Sequence, residues 1–377
     1  MDTNSSGTTT PPVEVNVATD ASGVPLPPRS LGLVPLGLAL LLMLPGAGAL
    51  HPVAGTSVGA SASSSLTWTN VTASVAPAPR NWVGMAYDSA TGKVVLYGGY
   101  NANYGVLFED TWVYHGGGWS ELVSTYNHSS VALSPHPNAT SGLQMAYDPT
   151  LHGVLAFGGQ AAYGAAYYND TWLFKGGHWH QLYPKDSPPA RSQYAMAYDP
   201  HTQRMVLFGG WDGTTLLADT WVFNGTNWAK APTTVAPPAR QFAALAYAAG
   251  LRSMVLVGGE NGSRGIPGTW AFNGTAWSNL TRANTPAVRI FPYVTDLGNG
   301  TPVLFGGQQP GIGNGNTIPS YNTTYEFFGG SWHLLTTNTP PIARNNGGFA
   351  YDAATHCVLL FGGRYTGGYL GDTWTLC

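Results

Sequence analysis

The chain has few charged residues and almost no cysteine. Of its 377 residues, 15 are Lys or Arg and 18 are Asp or Glu, so charged residues make up 9%, against about 25% in an average soluble domain. The basic residues are scattered singly, and the formal net charge is −3. We expect no nucleic-acid partner, because phosphate contacts need clustered Lys and Arg. The two cysteines are too few for a disulfide-rich scaffold or a cysteine-ligated zinc site.

Glycine and aromatic residues are what the chain has in excess. It contains 50 glycines, and aromatics make up 12% of its residues. This composition, with so few Lys and Glu, disfavours helices and suits short strands joined by tight turns. We therefore expect an all-β domain.

The first 65 residues differ from the remainder. Residues 1–30 lack periodicity and are expected to form a disordered tail, and residues 31–50 are an uncharged apolar run. A helix of that length would cross about 30 Å of hydrocarbon. Arg29 precedes this run and the next basic residue is Arg80, so the positive-inside rule places everything after the run outside the cytoplasm.

The fate of the apolar run has two interpretations. It is either a signal peptide cleaved after Ala49, where Ala47-Gly48-Ala49 fits a small-x-small site, or an uncleaved anchor helix that holds the protein at the membrane. Residues 51–65, rich in Gly, Ser and Ala, are then a flexible linker. Both interpretations predict an extracellular protein, secreted or membrane-anchored.

One pattern recurs six times after residue 65. Its fullest copy begins at Arg191 and contains an apolar segment ending in Ala-Tyr-Asp, a second ending in Gly-Gly, a loop, Asp-Thr-Trp and a further Trp at 228. A period of roughly 50 residues is typical of folds built from repeated units. The copies are marked by Gly98-Gly99, Gly158-Gly159, Gly209-Gly210, Gly258-Gly259, Gly306-Gly307 and Gly362-Gly363.

Each copy holds four short apolar runs separated by turn residues, which predicts four strands. Asn224-Gly225 and Asn273-Gly274 are typical of two-residue hairpins between the third and fourth strands. Four strands, a Gly-Gly doublet and spaced aromatics resemble the kelch family over residues 66–377. The resemblance implies a six-bladed kelch-type β-propeller, similar to the central propeller of galactose oxidase, with four antiparallel strands per blade. The strands alone would also permit a β-sandwich.

The sixth copy ends before a fourth strand, and the missing piece stands at the start of the domain. Residues 66–71, followed by Pro77-Ala78-Pro79-Arg80, match the fourth strand of other copies and the segment after it. We therefore expect the N-terminal strand to complete the last blade, which removes an unpaired sheet edge.

The two cysteines fit this register. If Phe361 lies opposite Thr373, then Cys357 lies opposite Cys377, close enough for a disulfide. An exported location permits that bond. The alternative is a pair of free buried thiols.

The loops between the second and third strands are long and aromatic, and they are expected on the same face as the connections between blades. Loops on a rigid scaffold often carry function. Aromatic side chains flanked by Asn, Asp and Arg suit sugar rings or peptide side chains, although these tyrosines would also serve to pack their own loops. The ligand-binding candidates are Tyr100, Tyr104, Tyr163, Tyr168, Trp211, Asp212, Glu260, Arg264, Tyr321, Arg364, Tyr365 and Tyr369.

Two charged positions recur in the copies and are assigned to the scaffold. A charge used once per blade is expected to form a structural pair or a turn cap, not an active site. The arginines are Arg80, Arg191, Arg240 and Arg344, and the aspartates before Thr-Trp are Asp110, Asp170, Asp219 and Asp372.

These patterns favour a binding module at the cell surface, with a protein or glycan as ligand and with no metal or cofactor. The alternatives are an enzyme at the propeller mouth, similar to sialate mutarotases or galactose oxidase, and a structural surface-layer or adhesion component. Glu260 and Arg264 are the acid–base candidates for the enzyme. Ten Asn-x-Ser/Thr sequons lie after residue 65; they indicate either glycosylation or Asn-based turns.

Overall fold

The structure, a computed structural model, describes residues 66–377 apart from 123–134, 139, 162–163, 263, 283–285 and 312–318. The predicted tail, the apolar run with its cleavage site at Ala49, and the linker lie outside the described residues. Within them the fold is all-β, with a short 3₁₀ turn at Ala249–Leu251. In this part of the chain no helix is long and apolar enough to cross a membrane.

Six antiparallel sheets of four strands form a six-bladed propeller. The first strands of neighbouring blades contact one another in a closed circle around the central axis. From the axis outward, the blades consist of Gly84–Asp88, Lys93–Tyr97, Thr111–His115 and Gly118–Leu122 in blade 1; Gln144–Asp148, Gly153–Phe157, Thr171–Lys175 and His178–Leu182 in blade 2; Ala195–Asp199, Arg204–Phe208, Thr220–Phe223 and Trp228–Lys230 in blade 3; Gln241–Ala248, Ser253–Glu260, Thr269–Phe272 and Trp277–Asn279 in blade 4; Tyr293–Asp296, Pro302–Phe305, Thr324–Phe328 and Ser331–Leu335 in blade 5; and Gly348–Asp352, Cys357–Tyr365, Gly368–Leu376 and Trp68–Asn70 in blade 6. A two-stranded ribbon, Tyr100–Asn101 with Val106–Leu107, projects from blade 1.

The N-terminal strand completes blade 6, as the sequence predicts. Trp68 lies opposite Leu376, and Asn70 lies opposite Trp374. The predicted pairing of Phe361 with Thr373 is also present. Cys357 and Cys377 form a disulfide with a Cα–Cα distance of 4.6 Å. The last blade is thus held by strand pairing from the N-terminal side and by a covalent bond at the C-terminus.

A tryptophan on the fourth strand of each blade binds a threonine of the preceding blade. The indole Nε1 donates to the hydroxyl of the threonine in the Asp-Thr-Trp position, and both side chains are buried. Because an unpartnered buried N–H costs about 1–3 kcal/mol, each bond fixes how one sheet sits on the next. The six bonds are Trp119 to Thr373 at 2.9 Å, Trp179 to Thr111 at 3.0 Å, Trp228 to Thr171 at 3.1 Å, Trp277 to Thr220 at 2.8 Å, Trp332 to Thr269 at 3.1 Å and Trp68 to Thr324 at 3.1 Å.

Aromatic packing accompanies these bonds. The Trp228 ring lies 5.2 Å from Phe157 of blade 2, and the Trp68 ring lies 4.7 Å from Phe305 of blade 5. Such pairs contribute about 0.5–1.5 kcal/mol beyond the apolar area they bury. Large rings therefore supply the interblade contact that a single four-stranded sheet cannot provide for itself.

The recurring Arg–Asp positions are scaffold pairs in three blades, which confirms that interpretation. In blade 3, Nη1 of Arg191 lies 2.6 Å from Oδ1 of Asp219, and Nη2 lies 3.0 Å from Oδ2. The Trp221 indole donates to the same Oδ2 at 2.7 Å. Burial by itself raises the pKa of Asp219, but the bonds and charge of Arg191 outweigh it and hold the pKa below its usual value. Arg344 with Asp372 and Arg80 with Asp110 repeat the arrangement.

The Asn-Gly turns differ from the prediction of two-residue hairpins. Phe223 pairs with Trp228 and Phe272 pairs with Trp277, so each connection has four residues. The side chain explains the difference: Oδ1 of Asn224 accepts bonds from the N–H groups of Thr226 and Asn227 and closes the longer turn. The sequon asparagines Asn70, Asn273, Asn279 and Asn299 likewise accept the N–H two residues on.

Replacing Thr324 with Val is expected to test the interblade bonds. Thr324→Val keeps the buried shape but leaves the Trp68 Nε1 without its acceptor, so the free energy of unfolding should fall by about 1–3 kcal/mol. Thr69→Val is the matched control, because Thr69 is exposed on the same N-terminal strand as Trp68, and it should change stability by less than about 0.5 kcal/mol. Urea unfolding measures both. Equal losses in the two variants would show that the bond contributes nothing.

Candidate functional site

The central channel opens at the face that carries the second-to-third-strand loops. The channel is a cavity of about 590 Å³ lined by the first strands and the residues just before them. The tyrosines of the Ala-Tyr-Asp steps line its far end, where burial and neighbouring carboxylates raise the pKa of Tyr198 to about 12. The variable side chains of the repeat stand at the near end.

Six residues, each two positions after the recurring arginine position, encircle the channel at this mouth. We call them the inner ring. Backbone hydrogen bonds of 2.7 to 3.2 Å, from the N–H of one member to the carbonyl of its neighbour, link five of the six adjacent pairs. All six have a positive φ, between 53° and 71°. The inner ring is Trp82, Gly142, Gln193, Phe242, Phe291 and Asn346.

The left-handed conformation is costly for five of these residues. For a residue with a Cβ it costs roughly 1–2 kcal/mol, and for a bulky aromatic such as Trp82 it is a rare outlier. Only blade 2 uses glycine, at Gly142. Strain of this kind persists where the surrounding structure imposes it, and it concentrates at functional sites. The ring thus holds large side chains at the mouth against the preference of their backbone.

An outer ring is formed by the residue that follows each Gly-Gly pair. Each member pairs through backbone bridges with the residue just before an inner-ring position, for example Tyr100 with Asn81 and Trp211 with Ser192. The glycines are required for this approach: a Cβ on Gly210 would lie 2.6 Å from the Ser192 carbonyl oxygen. The outer ring is Tyr100, Gln160, Trp211, Glu260, Gln308 and Arg364.

The two rings enclose a cavity of about 470 Å³ on the side of blades 1 to 4, which we call the cradle. None of its lining side chains carries a charge. Five are aromatic, and the polar ones are three glutamines and one serine. The lining residues are Trp82, Tyr100, Ser141, Gln160, Gly164, Tyr167, Gln193, Trp211, Gln241, Phe242 and Gly262.

Neighbouring groups position the cradle's side chains. Oε1 of Gln160 accepts bonds from the Ser192 hydroxyl at 2.7 Å and from Nε2 of Gln193 at 3.3 Å, which leaves the Gln160 amide group as an unused donor. The Tyr167 ring lies against Gly213 of blade 3, where a Cβ would come within 2.7 Å of it. The buried Nε1 of Trp82 has no hydrogen-bond partner among the described residues. The cradle therefore offers donors whose bonds the protein does not itself satisfy.

The structure brings two of the sequence-predicted candidates, Tyr100 and Trp211, together in the cradle. Tyr163 lies outside the described residues. Tyr104 is 67% exposed at the tip of the blade 1 loop, away from the cradle. Tyr168 is half-buried in the loop of blade 2 and bonds through its backbone to Gly159 and to the N–H of Arg191.

The charged candidates mostly support their own loops. Slight desolvation raises the pKa of Asp212, but four hydrogen bonds from Thr214 and Thr215 lower it to about 2. Oε1 of Glu260 accepts a bond from Nε2 of Gln241 at 3.1 Å, beside the cradle. Arg264 is exposed, and its backbone N–H donates to the side chain of Asn261.

The remaining candidates lie in blades 5 and 6. The guanidinium of Arg364 lies 5.6 Å from the centre of the Tyr369 ring, on the hairpin in which Tyr365 faces Gly368. Tyr321 covers a buried arginine of blade 5, Arg289, at 4.4 Å. None of these four candidates lines the cradle.

Sequence reasoning missed nine of the eleven cradle residues, and five of the nine are Trp82, Gln160, Tyr167, Gln193 and Phe242. Four of these five share a signal in the repeat, because they stand two residues after the arginine or directly after Gly-Gly. That signal is one of position and not of residue type, since the side chain at each position varies among the copies. Tyr167 has no such signal, because its position in the cradle depends on how the blade 2 loop packs against blade 3.

The strain at the inner ring predicts an inverted preference for glycine at Gln193. Gln193→Gly should be more stable than Gln193→Ala by about 1 kcal/mol, because φ is 61° there and only the glycine escapes the steric cost. Ala229→Gly, on an exposed strand position, is the control and should lose stability. Thermal unfolding measures all three variants. If Gln193→Ala is as stable as Gln193→Gly, the backbone at position 193 is not strained.

A scan against protein-family models finds no family that matches the chain, and a search of curated proteins finds no match.

Proposed function

We propose that the chain is an exported, kelch-type binding module whose cradle binds an uncharged glycan. The observation that carries the proposal is the lining of the cradle, five aromatic side chains with amides and a hydroxyl and no charge. Sugar rings present apolar C–H faces and hydroxyl edges, which match aromatic faces and amide groups respectively. A volume of about 470 Å³ lies within the usual 300–1,000 Å³ of small-ligand sites.

Aromatic side chains supply affinity, and the glutamines supply orientation. Trp82, Tyr100 and Trp211 belong to rings fixed by backbone bonds, so little backbone ordering is needed on binding. The amide group of Gln160 would donate to a sugar hydroxyl. A peptide ligand would gain less from this cavity, because it offers no charged partner for a terminus or an ionised side chain.

The enzymatic alternatives have less support. Glu260 is bonded to Gln241, and Arg264 is exposed at a loop tip, so the two do not form an opposed acid–base pair across the cradle. In the part of the chain that the structure describes, no three His, Cys, Asp or Glu side chains converge as a metal site would require. The glycan-binding proposal uses the groups that do converge.

Export and anchoring by residues 31–50 belong to the proposal, as does attachment of sugar to the sequons. Support comes from the uncharged run and from the disulfide between Cys357 and Cys377, a bond typical of oxidising compartments. Mass spectrometry of the native protein would report the N-terminus, the disulfide and attached sugar together. A native protein with an intact N-terminus, free thiols and a cytoplasmic location would contradict export.

Binding to the cradle is tested by screening the full-length protein on a glycan array and titrating the best neutral glycan by calorimetry. Trp211→Ala should weaken binding by about tenfold to a hundredfold, because base–aromatic stacking, a comparable contact, is worth about 1–3 kcal/mol. Tyr104→Ala is the matched control, since Tyr104 lies on the same face outside the cradle. No neutral glycan on the array, or equal binding by both variants, would refute the cradle as the ligand site.

A further inference from the structure

Blade 5 keeps the buried arginine of the repeat but has lost its aspartate. Arg289 stands where Arg80, Arg191 and Arg344 stand in their blades, and it is 1% exposed. Its Nε donates to the Ala287 carbonyl at 3.1 Å, and its Nη1 donates to the Gly306 carbonyl at 2.8 Å. The same two bonds hold the other arginines of this series.

The difference lies at the second terminal nitrogen. In the paired blades Nη2 binds an aspartate oxygen, at 2.8 Å in blade 6 and 3.0 Å in blade 3. In blade 5 the aspartate position is Thr323, whose hydroxyl lies 3.4 Å from Nη1. Nη2 of Arg289 has no hydrogen-bond partner among the described residues. The repeat thus shows three times which chemical group this nitrogen binds, and blade 5 does not supply it.

Two tyrosines flank this guanidinium. It lies 4.4 Å from the centre of the Tyr321 ring and 5.2 Å from that of Tyr325. Burial lowers the pKa of Arg289, and the neighbouring tyrosine oxygens, with a hydrogen-bonding contact between the guanidinium and Tyr325, offset part of that effect. Arginine keeps its proton at neutral pH, so a positive charge lies buried without a carboxylate. Such a charge costs free energy unless a counter-charge arrives.

Solvent reaches the aspartate position in the paired blades. The aspartate side chains of the three pairs are 14% to 23% exposed, and Thr323 is half-buried. Blade 4 differs, although Arg240 also lacks an aspartate and burial lowers its pKa to about 10. There the aspartate position is Gly268, which is buried, and the Thr281 hydroxyl lies 2.4 Å from where its Cβ would be. Of the two described arginines of the repeat that lack an aspartate, Arg289 is the one whose aspartate position is half-buried and not fully buried, although its Nη2 is itself closed to solvent.

We propose that blade 5 carries a second ligand site, in which Arg289 binds the carboxylate of a ligand at the place where blades 1, 3 and 6 use their own aspartate. The carboxylate bonds Nη2, the Thr323 hydroxyl lies beside it, and the tyrosine rings wall the site. Arg–carboxylate pairs of this kind are short and directional. The site is separate from the cradle, which is lined by residues of blades 1 to 4, and it does not depend on what the cradle binds.

Thr323→Asp is the decisive variant, with Thr323→Asn as its uncharged match. The aspartate supplies the missing carboxylate from within the blade, as in blades 1, 3 and 6, and so occupies the site. Thr323→Asp should raise Tm by roughly 2–4 °C, while Thr323→Asn should leave it nearly unchanged. Scanning calorimetry of the full-length protein measures both.

The ligand probes are acetate, as a bare carboxylate, and glucuronate, as a sugar carboxylate. Chloride at equal ionic strength and methyl glucoside are their controls. For the wild type and Thr323→Asn, the carboxylates should raise Tm by about 1–2 °C at tenfold excess over Kd; Thr323→Asp should not respond. A response to glucuronate alone would indicate a site that also contacts the sugar.

Three outcomes would overturn the proposal. They are a Thr323→Asp protein that still responds to carboxylates, a wild type that responds to chloride as strongly as to acetate, and a wild type that responds to no probe. Because Thr323→Asp is expected to stabilise the fold, its failure to respond cannot be ascribed to unfolding.

Discussion

The propeller depends on six hydrogen bonds between a fourth-strand tryptophan of one blade and a third-strand threonine of the preceding blade. Four of them join blades that follow one another in the chain. The bond from Trp119 to Thr373 joins the first blade to the last, and the bond from Trp68 to Thr324 also spans almost the whole domain. The Trp68 bond forms only because the N-terminal strand is added to blade 6. Closure of the ring therefore depends on a three-residue strand, Trp68–Asn70, and on the pairing that holds it.

This closure explains how the mouth tolerates strain. Five non-glycine residues of the inner ring hold a left-handed backbone, at a cost of several kcal/mol in total by the usual figure of roughly 1–2 kcal/mol each. Backbone bonds between neighbouring members link five of the six pairs in this ring, and ring closure keeps the blades from separating to relieve the strain. The side chains of the mouth can therefore differ from blade to blade without altering the scaffold.

Most of the fold follows from the sequence, because the repeat places the same physical demand in every copy. Asp-Thr-Trp and the later tryptophan predict strands that bury large rings, and the missing fourth strand predicts the role of Trp68. The side chains and backbone of the mouth are harder to predict from the sequence. The inner ring has no residue signature, since Trp82 and Gly142 fill equivalent places, and the left-handed backbone becomes visible only in three dimensions. Nor does an alternation pattern distinguish Tyr167, which faces the cradle, from Tyr168, which packs its own loop.

Departures from the repeat are as informative as its conservation within the chain. Where Asp110, Asp219 and Asp372 are present, arginine, aspartate and tryptophan form one satisfied unit. Blade 4 loses the aspartate and covers the gap with Thr281, whereas blade 5 loses it and leaves the position half-buried. In both blades the arginine still donates to two backbone carbonyls, which an apolar residue would leave unsatisfied. The charge of the arginine therefore has a scaffold role in both blades, and what favours a ligand at Arg289 is the half-buried aspartate position beside it.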